Sequence, residues 1–313
     1  MFRQPIALLR TDRTGTAIST EFPGRKTDSQ HRSRKKPQLG NCHDGTTVLL
    51  PSDIAMQYTE AEGKPVTFTF GKDMKVSKAT RTSVDTSFPT PFYKKASVKD
   101  TYNQLTLKCR NGYSIQFRAY DDGAAYRFVS ELRRPFCVKN EIAEFNFDRD
   151  YHAFVPYIND NRAGERYCYS FESYYDEVPL SRMYKDSLAI TPLLVELENG
   201  KKAVIMEAGL SNYPGMFLTA NPQTPHGIKA EFAPYPLETI IGGYDHLNLV
   251  PTKRADIISK PNDALLLPQW ASYGETGLSL ACCACCHPRH ATRRQRYDAT
   301  PCSGMSHCRH FLD

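Results

Sequence analysis

The sequence predicts an all-β fold, and three observations carry that expectation. Short runs rich in Tyr, Phe, Val and Thr alternate apolar with polar residues at a period of two. Turn signals recur between them at roughly 8–12-residue spacing, as in an antiparallel sandwich or barrel. No window of about 12 residues carries the 3.6-residue apolar period of an amphipathic helix. The 18 Tyr and 16 Phe against a single Trp agree, because aromatic residues fit a pleated, half-buried surface.

The elements follow in order. Thr46-Thr-Val-Leu-Leu50 reads as a strand closed by Pro51-Ser52-Asp53. Val66-Thr-Phe-Thr-Phe70 alternates and stops at Gly71-Lys72-Asp73. Leu105, Leu107 and Cys109 alternate up to Asn111-Gly112, a strong two-residue hairpin signal. Tyr113, Ile115, Phe117 and Ala119 alternate back. Asp121-Asp122-Gly123 turns the chain again into Ala124, Tyr126 and Phe128, which completes a three-stranded meander over Tyr102–Glu131. Phe145-Asn-Phe147 and His152-Ala-Phe-Val155 are shorter aromatic strands. A second hairpin runs from Leu193, Val195 and Leu197 through Glu198-Asn199-Gly200 into Ala203-Val-Ile-Met206.

Composition sets the expected boundaries. The 313 residues carry a net charge of +6, but residues 45–262 hold 26 basic and 26 acidic side chains. The excess sits mainly in residues 1–44, with 9 basic and 4 acidic, and slightly in residues 263–313, with 5 and 4. The basic pI therefore describes the head and not a binding face. Residues 1–44 are expected to be an unstructured basic head, and 263–313 an unstructured Cys-rich tail. The head lacks the interleaved aromatics of a nucleic-acid site, so no nucleic-acid partner is expected. No apolar run reaches the roughly 18 residues of a membrane helix, and the start shows no secretory signal, so the chain as written is expected in the cytoplasm.

Three groups of residues invite chemistry. Cys282, Cys283, Cys285 and Cys286, with Cys302 and Cys308 downstream, have metal-ligand spacing, but the two CxxC knuckles overlap and little apolar sequence surrounds them. The expectation is an out-of-frame tail without a zinc site. The loop Asn159–Glu165 leads into Tyr167, Tyr169, Tyr174 and Tyr175, a composition shared by sugar-binding surfaces and ordinary solvated loops. His152 and Glu207 could form an acid/base pair on one sandwich face, although a lone His beside Phe154 is more often structural. A stand-alone carbohydrate-binding or mutarotase-like module, and a metal-binding protein, are the alternatives these features leave open.

Four motifs in family order carry a resemblance. They are Val48-Leu-Leu-Pro-Ser52, Tyr102-Asn-Gln-Leu105, Phe117-Arg118 with Asp121-Asp-Gly-Ala-Ala-Tyr-Arg-Phe128, and Met206-Glu-Ala-Gly-Leu-Ser-Asn-Tyr-Pro-Gly-Met216. Residues 45–262 resemble the N-terminal domain of glycoside hydrolase family 97, bacterial α-glucosidases and α-galactosidases. The resemblance implies an antiparallel β-supersandwich, galactose-mutarotase-like, placed before a (β/α)8 barrel that holds the catalytic carboxylates. It implies that this domain lends one glutamate to a calcium ion. Glu165 is the residue that best matches it, and Glu172 is the second choice. One carboxylate supplies too few of the 6–8 oxygens calcium takes, so the domain alone is expected to bind calcium weakly or not at all. Only 51 residues follow Asn262, against about 250 for such a barrel. The chain therefore reads as a fragment, inactive alone, whose natural docking partner is the missing barrel. Intact family members would act on α-glycosides, and in the periplasm.

Overall fold

The structure, a computed structural model, describes residues 6–10, 17–20, 38–43, 46–60, 67–70, 74–90, 94–110, 112–120, 123–132, 135–158, 166–167, 171, 173–208, 210, 213–242, 246–260 and 269–273. In chain order the strands are β1 (Ile6–Arg10), β2 (Ala17–Thr20), β3 (Gln38–His43), β4 (Thr46–Glu60), β5 (Thr67–Phe70), β6 (Val76–Pro89), β7 (Ser97–Cys109), β8 (Tyr113–Tyr120), β9 (Gly123–Ser130) and β10 (Phe136–Asn146). They continue as β11 (His152–Val155), β12 (Asp176–Pro179), β13 (Leu193–Glu196), β14 (Lys202–Ala208), β15 (Met216–Ala220), β16 (Gly227–Phe232), β17 (Pro236–Gly242), β18 (Asn248–Arg254) and β19 (Gln269–Tyr273). Helical structure among the described residues is 3-10, as in the turns Leu180–Arg182 and Glu198–Gly200.

The strands form two large antiparallel sheets and one separate hairpin. The first sheet runs β15-β16-β10-β4-β3-β1-β2, with β5 also paired to β4. The second runs β12-β11-β13-β14-β19-β9-β8-β7-β6, and β17 pairs with β18 alone. This is the all-β antiparallel architecture that the alternating runs predict. The head and tail, expected to be unstructured, contribute β1, β2, β3 and β19, and the rest of both segments lies outside the described residues. Strand pairing satisfies backbone groups whatever the side chains, so composition alone does not announce it.

The predicted meander is β7-β8-β9, in a register that sets Leu105 opposite Phe117 and Phe117 opposite Tyr126. Leu105, Leu107, Ile115, Phe117, Tyr126 and Phe128 all turn inward and are at most 2 % exposed. From the first sheet Ile54, Met56, Val138 and Leu218 meet them, each fully buried. The rings interlock across the gap. Phe70 on β5 stacks on Tyr113 of β8 at 4.2 Å and meets Tyr58 of β4 at 4.4 Å with the rings tilted by 40°. The second sheet is also apolar on its other face, where Tyr102, Tyr120, Leu194, Val204 and Met206 cluster. Two covered faces explain why β14 reads almost continuously apolar rather than alternating.

Pro51-Ser52 does not close the strand, as the sequence suggests it should. β4 runs on to Glu60. The pairing with β10 is irregular there, between Ala143 and Asn146, where a proline is tolerated because a ladder bond is already missing. The Ser52 hydroxyl fills that gap. It donates to the Leu50 carbonyl at 2.8 Å and accepts the Asn146 N–H at 2.9 Å.

The two hairpin glycines adopt the left-handed conformation their turns require, Gly112 at φ 77° and Gly200 at φ 74°. A Cβ on Gly112 would also lie 2.9 Å from Leu132 Cδ2. Gly112→Ala is therefore expected to lower the unfolding free energy by about 1–2 kcal/mol in urea titration, through loss of left-handed freedom.

Candidate functional site

The residues singled out from the sequence are not brought together. Glu165 and Glu172 lie outside the described residues, as do the cysteines from Cys282 to Cys308. Among the described residues no three His, Cys, Asp or Glu side chains converge to hold a metal ion. His152 and Glu207 face opposite sides of the second sheet, so they form no acid/base pair. His152 shares the face of Phe154, packed on the outer cluster, whereas Glu207 follows Ala203 and Ile205 on the inner face. The His152 ring is exposed, with Nδ1 3.2 Å from Glu177 Oε1 on β12.

What the two sheets do enclose is a pair of carboxylates. Glu141, on the inward-facing parity of Ala143 and Phe145 in β10, is 2 % exposed. It accepts the Tyr213 hydroxyl at 2.5 Å and the Tyr126 hydroxyl at 3.4 Å. Tyr126 belongs to β9, so this contact crosses from one sheet to the other. Burial, and after it the Glu141 charge, hold both phenols well above the ordinary tyrosine range.

Glu207 makes the reciprocal crossing. It starts from β14 of the second sheet, and both of its oxygens lie 2.9 Å from the Met216 N–H at the start of β15 in the first. The Thr191 hydroxyl donates to Oε1 at 3.2 Å. Burial pushes the Glu207 carboxyl up to about 8; the Met216 N–H and Thr191 hydroxyl pull it down, and the Glu141 charge adds to the rise. The residue keeps partial solvent exposure, which tempers the size of this effect but not its direction.

A second cluster fixes the chain at Arg166 and Tyr167, just after residues 159–165, which lie outside the described residues. Arg166 donates from Nε to Glu231 Oε1 at 3.1 Å and from Nη2 to Oε2 at 3.3 Å, a bidentate pair to β16. Its Nη1 reaches the Asp186 carbonyl at 3.0 Å, and the Tyr167 hydroxyl donates to Glu231 at 2.7 Å. The Arg254 guanidinium stands 5.2 Å above the Tyr167 ring. Burial, then the bond to Glu231, push the Tyr167 phenol up to about 12. Tyr167 is thus a structural anchor rather than an exposed sugar platform.

Glu207 pairs with Met216 and Thr191 and not with His152, and Glu141, Tyr126 and Tyr213 form a unit absent from the sequence expectations. The signal was present for Glu141. It sits two and four residues before the apolar Ala143 and Phe145, which places a carboxylate on the core face of a strand.

Against known proteins, residues 23–264 match the family described as glycosyl-hydrolase 97 N-terminal. A retaining alpha-galactosidase from Bacteroides thetaiotaomicron is 35% identical over 220 residues, which are 69% of this chain and 32% of that enzyme. The chain thus spans about a third of the length of the curated relative it matches. Among solved structures, a glycoside hydrolase family 97 enzyme from Pseudoalteromonas sp. strain K8 in complex with acarbose aligns at TM-score 0.56 and 20% identity, over 77% of this chain and 32% of that one. A beta-arabinopyranosidase aligns at TM-score 0.57 and 19% identity, over 77% of this chain and 37% of that one. At these identities the structural matches establish the fold alone.

The Glu207 environment yields a pH dependence. Its folded-state pKa is raised above the ordinary 4.5, so the folded chain holds a proton that the unfolded chain releases between about pH 5 and pH 8. The stabilisation is complete below that window and lost as pH rises through it. Thermal midpoints are expected to fall from pH 5 to pH 8, and Glu207→Gln, which keeps the acceptor for Met216, is expected to flatten that slope.

Proposed function

We propose, from the premise that this chain belongs to the glycosyl-hydrolase 97 N-terminal family, that it serves as the accessory β-sandwich of an α-glycosidase and supports an active site supplied by another part of the enzyme. The observation that carries this reading is the 35% identity to a retaining alpha-galactosidase, confined to 32% of that enzyme's length. The enclosed acids agree with it. Glu141 and Glu207 are engaged by hydroxyls and a backbone N–H between the sheets, where they hold the fold rather than face a substrate.

The substrate class under this reading is the α-glycosides, with α-galactosides foremost. Calcium is part of the proposal for the intact enzyme. Glu165 would lend one oxygen, directly before Arg166 and Tyr167, which Glu231 holds in place. A single carboxylate oxygen supplies little of a calcium shell, and the remainder must come from outside this domain. The exposed hairpin β17–β18, with Ile240, Ile241, Leu247 and Leu249 at 56–82% exposure, is a fitting surface for the catalytic domain to cover.

Two measurements test the reading. The purified chain is expected to release no p-nitrophenol from α-galactosyl or α-glucosyl aryl substrates; turnover that Glu165→Ala or Glu207→Ala abolishes would overturn the proposal. Calorimetric titration with calcium is expected to show a dissociation constant no tighter than about 1 mM, the weak end of protein calcium sites.

A further inference from the structure

The second sheet ends in a long, open edge. β6 covers Val76–Pro89 and pairs with β7 from Lys78↔Lys108 to Pro89↔Ser97 without a bulge. It closes the nine-strand order, so β7 is its one neighbour among the described residues. Nearly every residue from Ser77 to Ser87 is exposed, with Val84 and Thr86 partly covered. An exposed edge of this length offers a row of backbone donors and acceptors to another strand. Its sequence, SKATRTSVDTS over 77–87, is rich in β-branched and hydroxyl residues, which suits continued pairing rather than aggregation through apolar side chains.

We propose that β6 pairs antiparallel with β6 of a second copy of this chain, about a two-fold axis at Ser83, joining the two nine-stranded sheets into one. The register follows from charge and parity. A free strand edge presents the N–H and C=O of every second residue, so two copies of one strand match only where residues of equal parity face each other. Among such registers, a centre at Arg81 sets Arg81 against itself, and a centre at Asp85 sets Asp85 against itself. A centre at Thr82 or Val84 leaves both charges opposite neutral residues. The centre at Ser83 sets Arg81 opposite Asp85 twice, once on each side of the axis. Thr82 then faces Val84 and Thr80 faces Thr86, pairs that favour sheet stability.

The local geometry favours this use of Asp85. Its own sheet meets it from one side only, through the Thr101 hydroxyl at 2.8 Å and the Lys99 ammonium at 3.7 Å. Ser83 is likewise bonded inward, to Asn103 Oδ1 at 2.6 Å. Both contacts orient the odd-numbered side chains of β6 along one face, where the partner's Arg81 and Asp85 would lie. Isologous contacts of this kind close after two copies, so the assembly is a dimer and not a fibre.

The test is the mass of the full chain in solution, by light scattering across a dilution series, with three variants. The wild type is expected to show a concentration-dependent dimer. Arg81→Glu and Asp85→Arg each set like charges opposite each other twice and are expected to raise the dimer dissociation constant about tenfold or more. The combination Arg81→Asp with Asp85→Arg restores opposite charges and is expected to recover dimerisation. Amide exchange at residues 79–87 should slow as wild-type concentration rises, a readout that needs no substitution. A monomer at every concentration would overturn the proposal. So would a dimer indifferent to both single reversals, which would assign association to another surface such as β17–β18.

Discussion

Phe70 sits on the short strand β5 of one sheet, and its ring stacks on Tyr113 of the other at 4.2 Å, with Phe128 6.4 Å away. This contact states the constraint on which the fold rests: two sheets, each unable to bury its apolar face alone, must be held at one spacing along their whole length. Rings set that spacing near β5, β8 and β9. Toward β14 and β15 the aromatic content thins, and the crossing is made by polar groups instead. Glu207 reaches the backbone of Met216, and Glu141 collects the hydroxyls of Tyr126 and Tyr213.

A buried carboxylate is costly unless it is satisfied, and these two are satisfied: Glu207 by the Met216 N–H of the opposing sheet, Glu141 by Tyr126 of the opposing sheet and by Tyr213 ahead of β15 in its own. That choice fixes more than spacing. An apolar contact tolerates sliding, whereas a carboxylate aimed at one backbone N–H accepts only one alignment of β14 on β15. The alignment in turn positions β16, whose Glu231 grips Arg166 and Tyr167. The two acids thus serve geometry, and their engagement by Tyr126, Tyr213, Thr191 and the Met216 N–H suits support of a neighbouring active site better than chemistry of their own.

Much of this was legible from residues because its period is two. The β7-β8-β9 meander and the β13-β14 hairpin follow from alternation and from Gly112 and Gly200, both in the left-handed conformation a tight turn needs. Pro51 misled, because a proline stops a regular strand but not one whose pairing is already interrupted and repaired by the Ser52 hydroxyl. The head strands β1–β3 were hidden by charge, which does not govern backbone pairing. The His152–Glu207 pairing failed on parity. The two side chains emerge on opposite faces of one sheet, a relation that the relative offsets of β11, β13 and β14 decide and that spacing along the chain does not.

Energetic coupling across the gap measures these crossings most directly. A double-mutant cycle in urea unfolding, combining Tyr126→Phe with Glu141→Gln, isolates the bond between β9 of the second sheet and β10 of the first. A coupling energy of about 1–3 kcal/mol is expected for a buried hydrogen bond to a charged acceptor. Strictly additive effects would contradict the claim that these carboxylates hold the sheets together.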